Sequence, residues 1–248
     1  MPSKIELPTS PIPATTQDPK YLILFGLPKV GKTTILSTLP NNLILDTEGG
    51  SNYVNALKVQ VTNLTELREV CQAIIAKKCP YKYITIDTIT AVEDMTKPLA
   101  IQLYKQSPMF SERYASTTDP VALPNGCGWS FWRQAVEMVV DMVSRCAPNL
   151  IICGHVKDSK LNDESGNVLK DLDLTGKIKR VLSAKSDAIG YVTRSEKGDL
   201  CIQFGSDGEV LTGARPAHLA NKTIVVAERR PDGSFISHWD RIYPSEAQ

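Results

Sequence analysis

Gly26-Leu27-Pro28-Lys29-Val30-Gly31-Lys32-Thr33 follows a continuous apolar run, Tyr21-Leu22-Ile23-Leu24-Phe25, and opens a segment that reads as a helix until Pro40. The eight residues fit the pattern Gly-x4-Gly-Lys-Ser/Thr. In such a loop the glycines let backbone N–H groups turn inward around phosphate oxygens, and the helix that follows presents its positive end to the same phosphates. Lys32 is placed to reach the outer phosphates, and the Thr33 hydroxyl to hold Mg²⁺. Gly26, Pro28, Lys29, Val30, Gly31, Lys32, Thr33 and Thr34 are the candidate cofactor-binding residues, and ATP with Mg²⁺ the implied cofactors. The context strengthens the motif, because it lies between a strand and a helix.

The same alternation continues outward. A short run over residues 43–45 reads as a second strand, and residues 58–61 as another. Asn63 followed by Glu66 forms a capping box, with Leu64, Leu67, Val70, Cys71, Ile74 and Ile75 at helical spacing. Residues 83–86 are rich in strand formers. Residues 89–106 read as a helix broken near Pro98, residues 107–128 as a long loop, and residues 129–146 as a strong helix. A strand over 150–153 precedes a polar segment, 156–175, whose turn at residues 163–167 predicts a protruding hairpin. A basic helix over 177–185 and strands near 188–193, 200–204 and 223–227 complete the chain. Continuous apolar strands separated by helices predict an α/β fold with a mostly parallel central sheet flanked by helices and antiparallel strands at the C-terminal end. Residues 1–19, with five prolines among Ser and Thr, read as an N-terminal arm, and residues 20–248 as one domain.

Composition narrows the function classes. The chain has 248 residues, 42% hydrophobic and 22% charged, which fits one large globular core. Net charge is +1, so no global basic field announces a nucleic acid, and any such site must be a local patch or be built from several subunits. Six cysteines without a Cys-x-x-Cys pair, and three histidines, argue against zinc and for reduced thiols in a cytoplasmic setting. No segment has the apolar length of a membrane span.

Two carboxylates stand at strand ends beside the phosphate loop. Asp87 closes the strand 83–86, where an aspartate can hold Mg²⁺ with Thr33. Asp46-Thr47-Glu48 closes the strand 43–45. A carboxylate there can polarise the water that attacks the terminal phosphate, and Glu48 is the first candidate for that base, ahead of Asp46.

These residues together resemble a family. Tyr21 and Phe25, the loop from Gly26 to Thr34, Asp46-Thr47-Glu48, and an apolar strand ending in Asp87-Thr88 are similar to the core of the RecA/RadA recombinases. Leu43-Ile44-Leu45-Asp46-Thr47-Glu48-Gly49-Gly50 is most similar to the small core-only ATPases of phages, the Sak-type single-strand annealing proteins. The resemblance covers roughly residues 20–205 and implies a RecA-like P-loop NTPase, a DNA-stimulated ATPase of recombination and repair that binds single-stranded DNA. It also implies a ring or filament of identical subunits. It makes Lys32, Glu48 and His155 the catalytic set. His155 falls where recombinases carry a glutamine that senses the terminal phosphate, and this departure puts the sensing chemistry in question. It also makes segments 107–128 and 156–175 the DNA-facing ones.

The residues themselves leave the DNA role open. Trp129, Phe131 and Trp132 can stack on bases, yet Trp129, Trp132, Val136 and Val139 keep helical spacing, which favours packing in the core. Segment 156–175 mixes Lys157, Lys160 and Lys170 with five acidic residues. Lys177, Lys179 and Arg180, with Lys185 nearby, are the densest cationic cluster and the candidate DNA contacts. Arg194 and Arg215 are candidates for an arginine reaching a neighbouring subunit's nucleotide. The competing reading is a P-loop phosphotransferase, a small nucleotide or metabolite kinase. It needs an acceptor pocket and an arginine-rich lid, and residues 107–128 hold only Arg113. A partition-type ATPase carries a lysine five residues before the loop lysine, where this chain has Leu27. A scaffold that binds ATP without turnover is disfavoured by Glu48.

Overall fold

The computed structural model describes residues 9–14, 16–160 and 168–247. The turn expected at 163–167 and the charged, apolar alternation of residues 1–7 lie outside them.

The apolar runs become parallel strands. β1 (Tyr21–Gly26), β2 (Asn42–Asp46), β3 (Leu57–Gln60), β4 (Tyr83–Asp87), β5 (Asn149–Lys160) and β7 (Ala188–Arg194) lie in the order β7-β1-β5-β4-β2-β3. β1 pairs in parallel with both β5 and β7, and β4 in parallel with β2 and β5. Beyond β7 the sheet turns antiparallel through β8 (Leu200–Gln203), β10 (Thr223–Arg229) and β11 (Phe235–Ser237). β6 (Val168–Leu172) pairs with the outer half of β5, and β9 (Gly213–Ala214) with β7. The fold is therefore mixed α/β, with a mostly parallel central sheet flanked by helices and antiparallel strands towards the C-terminal end.

Strand pleating divides the core in two. Ile23, Phe25, Leu43, Leu45, Ile84, Ile86, Leu150 and Ile152 face one side. There they meet α2 (Leu64–Ala76), α3 (Ile89–Met95), α4 (Lys97–Lys105), α5 (Cys127–Ser144) and α6 (Gly176–Lys185). Leu22, Leu24, Ile44, Tyr83, Ile151 and Cys153 face the other side. Among the described residues, α1 (Lys32–Ser37) is the α-helix on that face, and the C-terminal residues Trp239, Ile242 and Tyr243 pack beside it. Burial of each such side chain is worth about 1.5–3 kcal/mol relative to exposure. Trp239 also donates its indole N–H to Ile35 O (3.2 Å) and Thr38 Oγ1 (3.0 Å), which closes the end of α1 ahead of the expected stop at Pro40.

Several boundaries differ from the sequence expectation for local reasons. The helix over 89–106 breaks at Thr96, because Pro98 is accommodated in the first turn of α4, where its missing N–H is not needed. Asn63 accepts from Glu66 N (3.0 Å) as a cap should, while the Glu66 carboxylate reaches Thr62, one residue earlier than a regular capping box. Segment 107–128 is a series of 3₁₀ turns, and α5 begins at Cys127, two residues before the expected start. β5 runs past residue 153 because β6 pairs with its outer half. β9 and β11 were not anticipated, being too short to carry a periodic signal. Among the described residues no helix is long and apolar enough to cross a membrane.

Candidate functional site

The C-terminal ends of β1, β2 and β4 meet beside the middle of β5, and the chemistry-bearing residues follow from that convergence. Gly31 takes φ +116°, and a Cβ there would lie 2.7 Å from Leu200 Cδ2 and 3.0 Å from Arg194 Nη2. Only glycine lets the loop turn this tightly against β8. Lys32 is buried, and its ammonium donates to Gly26 O and Leu27 O, both at 2.9 Å. No carboxylate among the described residues pairs with it at salt-bridge distance. Its charge is held at the loop without a fixed counter-charge, as a phosphate tail requires.

Thr33 Oγ1 donates to Asp87 Oδ2 at 2.8 Å. The two oxygens that a Mg²⁺ ion would take are thus already adjacent, and hydroxyl and carboxylate are the hard donors that Mg²⁺ prefers. Asp87 is buried, and burial pushes its carboxyl up from the usual range, against the hydrogen bonds from Thr33 and Cys153. The donor set fits the ion.

Asp46 and Glu48 divide the work at the tip of β2. Asp46 Oδ1 accepts from Glu48 N (3.1 Å) and Gly49 N (2.7 Å), and Oδ2 accepts from Ser51 N (2.9 Å) and the Ser51 hydroxyl. Burial works to raise its pKa, but the hydrogen bonds from Ser51 and from the backbone of Glu48 and Gly49 prevail and hold it low. Asp46 therefore folds the turn that presents Glu48. The Glu48 side chain stays 41% exposed. Its Oε1 accepts from Thr88 Oγ1 at 2.6 Å, and His155 Nε2 stands 3.2 Å from Oε2 and 3.3 Å from Oε1. Thr88 is fixed in turn by Thr47, whose hydroxyl accepts from Thr88 N (2.7 Å). His155 Nδ1 is buried with no partner among the described residues, so the ring is oriented from the Glu48 side.

A cavity of about 420 Å³ collects these groups. Pro28, Lys29, Gly31, Lys32, Thr33 and Thr34 line it from the loop. Glu48, Asp87 and Thr88 line it from the ends of β2 and β4, His155 from the middle of β5, and Tyr53 stands at it almost fully exposed. Gly26 and Val30 take part through their carbonyls, accepting from Lys32 and Arg194 respectively. Arg194, considered above for a neighbouring subunit, lies on its own chain's loop, with Nε 2.8 Å from Val30 O. Arg215 is elsewhere, paired with Asp187 (3.1 Å). Thr88 and Tyr53 were not singled out in the sequence. Thr88 carried a signal in its place after Asp87, whereas Tyr53 comes to the cavity only through the turn that Asp46 folds.

The cationic cluster lies on α6, outside this cavity. Lys177 and Arg180 are exposed, and no ion pair with a described residue engages them. Lys179 differs: its ammonium is bonded to the buried carboxylate of Asp171 and is occupied within the fold. Trp132 is buried, as helical spacing implied, but Trp129 is 43% exposed. It lies in the first turn of α5, where the stripe that meets the core has not yet begun to close over it.

A family model described as an AAA domain matches residues 18–229, which includes every strand from β1 to β10 and all the residues of the cavity. A search of curated proteins gives no match.

Proposed function

The chain belongs to the AAA domain family of P-loop proteins, and on that premise we propose that it hydrolyses ATP with Glu48 as the base and does so in the service of single-stranded DNA, in recombination or repair. The observation that carries the hydrolytic part is the position of Glu48. Its carboxylate is aimed by Thr88 and His155 into the cavity that Lys32, Thr33 and Asp87 share.

Each group then has a task. The loop N–H groups and Lys32 bind the phosphate tail and offset its charge. Mg²⁺, when bound by Thr33 and Asp87, supplies further neutralisation of the phosphate oxygens. Glu48 accepts the proton of a water attacking the terminal phosphorus, while the leaving diphosphate stays in the loop. Thr88 and His155 act as positioning residues that keep the Glu48 oxygens toward that water. The phosphotransferase alternative finds no support in the cavity. Arg194, its arginine among the described residues, is bound to the Val30 carbonyl rather than free to close as a lid.

The DNA part rests on the similarity of residues 20–205 to RecA-like recombinases and Sak-type phage annealing ATPases. β5, which carries His155, continues outward from the cavity and pairs antiparallel with β6. ATP hydrolysis measured alone, with single-stranded DNA, and with a nucleoside acceptor tests both parts. Hydrolysis to ADP and phosphate that rises with DNA is expected. Phosphate transferred to the acceptor would overturn the reading.

A further inference from the structure

An apolar cavity with a cation at its rim lies away from the nucleotide site. It measures about 320 Å³, near the lower end of the usual ~300–1,000 Å³ for ligand cavities. Gly126, Trp129, Thr175, Gly176, Lys177 and Ile178 line it, with no carboxylate among them. Trp129 is the largest of these, and it is rigidly backed. Its ring lies nearly parallel to that of Trp132, 5.7 Å away between centroids and tilted by 22°. Trp132 is itself held by its indole N–H on Glu93 O (2.9 Å) and has the Lys97 ammonium 5.1 Å from its ring centroid. A surface tryptophan backed in this way keeps its orientation when a ligand arrives, so little freedom is lost on binding.

The chemistry of the walls selects the ligand. An exposed indole attracts a planar ring. Lys177, and Arg180 three residues along the same helix, offer positive charge that no described residue neutralises. A planar ring attached to a negative charge satisfies both. Within a duplex the base faces are covered by their neighbours, so a ring supplied by nucleic acid must come from an unpaired strand. We propose that Trp129 is a base-stacking platform for single-stranded DNA, with Lys177 and Arg180 taking the adjoining phosphates. This rests on the function proposed above and assigns it a place. The place is joined to the hydrolytic centre: Thr175 N donates to Glu93 Oε1 (3.1 Å), and Asp173 N donates to His155 O (2.8 Å).

The test uses the full chain with a non-hydrolysable ATP analogue. Fluorescent oligothymidine and an abasic oligonucleotide of equal length are titrated by anisotropy, and tryptophan emission is followed in parallel. The wild-type chain should bind oligothymidine more tightly than the abasic strand, with quenching of its emission. Trp129→Ala should weaken oligothymidine binding by about five- to 150-fold and leave abasic binding unchanged. Trp129→Phe, which keeps an aromatic face and controls for folding, should restore affinity to within about threefold while most of the quenching is lost. Lys177→Gln should weaken both strands alike. Oligothymidine binding that is equal in wild type and Trp129→Ala, or equally weak in the Phe and Ala variants, would overturn the platform and leave the DNA reading intact. Failure of the wild-type chain to bind any strand would overturn both.

Discussion

Asp46 and Glu48 are two residues apart, yet the structure gives them opposite tasks. The Asp46 carboxylate is saturated with donors from Glu48, Gly49 and Ser51, whereas Glu48 is half-exposed in the cavity with Thr88 and His155 beside it. Glu48→Gln keeps the shape and the hydrogen bond from Thr88 but cannot take a proton. ATP binding should survive, and turnover should fall by about 10²–10⁴, the usual worth of a general base. Thr88→Val removes only the hydroxyl that aims Glu48. Losing one hydrogen bond to a charged group, about 1.5–3 kcal/mol, corresponds to a turnover slower by about ten- to 150-fold with little change in nucleotide affinity. Single-turnover rates and binding of a labelled ATP analogue separate the two effects. Parental turnover in Glu48→Gln would transfer the base role to another residue. Asp46 leads to a different expectation. Its pKa is lower in the folded chain, so its contribution to stability is present above the unfolded value near ~3.9 and is lost as pH falls through the folded one. Asp46→Ala should therefore be clearly less stable than wild type in urea at pH 7, and the gap should narrow below about pH 4. A gap that persists unchanged in acid would mean that the carboxylate charge is not what folds the turn.

At the scale of elements, α3 is the joint between the two cavities. It begins directly after Asp87-Thr88, and its buried Glu93 accepts from Thr175 N just ahead of α6. Burial raises the Glu93 pKa, against the hydrogen bonds from Thr175. For a raised pKa the contribution to stability is greatest below the unfolded value near ~4.3 and is lost as pH rises through the folded one. Charging this buried carboxylate as pH rises is therefore a cost, set against the bond to Thr175. Glu93→Gln preserves an acceptor without the charge and should be at least as stable as wild type at pH 7. Glu93→Ala leaves the half-buried Thr175 N–H without its carboxylate partner and should lose about 1–3 kcal/mol. Urea unfolding of the pair decides it, and a Gln variant as weak as the Ala variant would show that the charge itself is needed. Such joints mark the limit of what the sequence displays. The runs at 21–25, 43–45, 83–86 and 150–153 are readable as buried strands because both their faces are apolar. The phosphate loop is readable because its chemistry is contiguous. The bond from Thr88 to Glu48 spans 40 residues and that from Thr175 to Glu93 spans 82, and neither leaves a periodic trace. Trp129 misled for a related reason: helical spacing assigned it to the core, but what covers a helix end depends on distant segments, here the residues leading into α6.

For the whole molecule the governing quantity is charge. A net +1 over 248 residues leaves no broad field for DNA, and Lys179, Lys185 and Lys157 are bound to Asp171, Asp141 and Asp173. Lys177 and Arg180 remain as the proposed phosphate contacts at the Trp129 cavity. Each phosphate neutralised on a single strand changes the salt slope of binding by ~0.7, so two contacts give a slope of about −1.4 per protomer in log K against log salt. A single protomer with so few contacts should bind weakly, and stable binding then needs many copies on one strand. Linked copies act through effective concentration, which multiplies a weak contact without adding new ones. We propose that an assembly of identical subunits, as the family resemblance implies, supplies this, and that ATP favours it because a neighbour completes the open cavity at which Tyr53 stands exposed. Oligothymidine titrations at four salt concentrations, with and without a non-hydrolysable ATP analogue, test the argument alongside sedimentation. With the analogue, binding should be cooperative in protein concentration and should retain a shallow slope per protomer. Arg180→Gln should reduce that slope by about 0.7. A slope several times steeper per protomer would place the phosphate contacts outside α6. Non-cooperative binding by a chain that stays monomeric with the analogue bound would remove the assembly, and a single protomer would then have to hold DNA through stacking on Trp129 more than through charge.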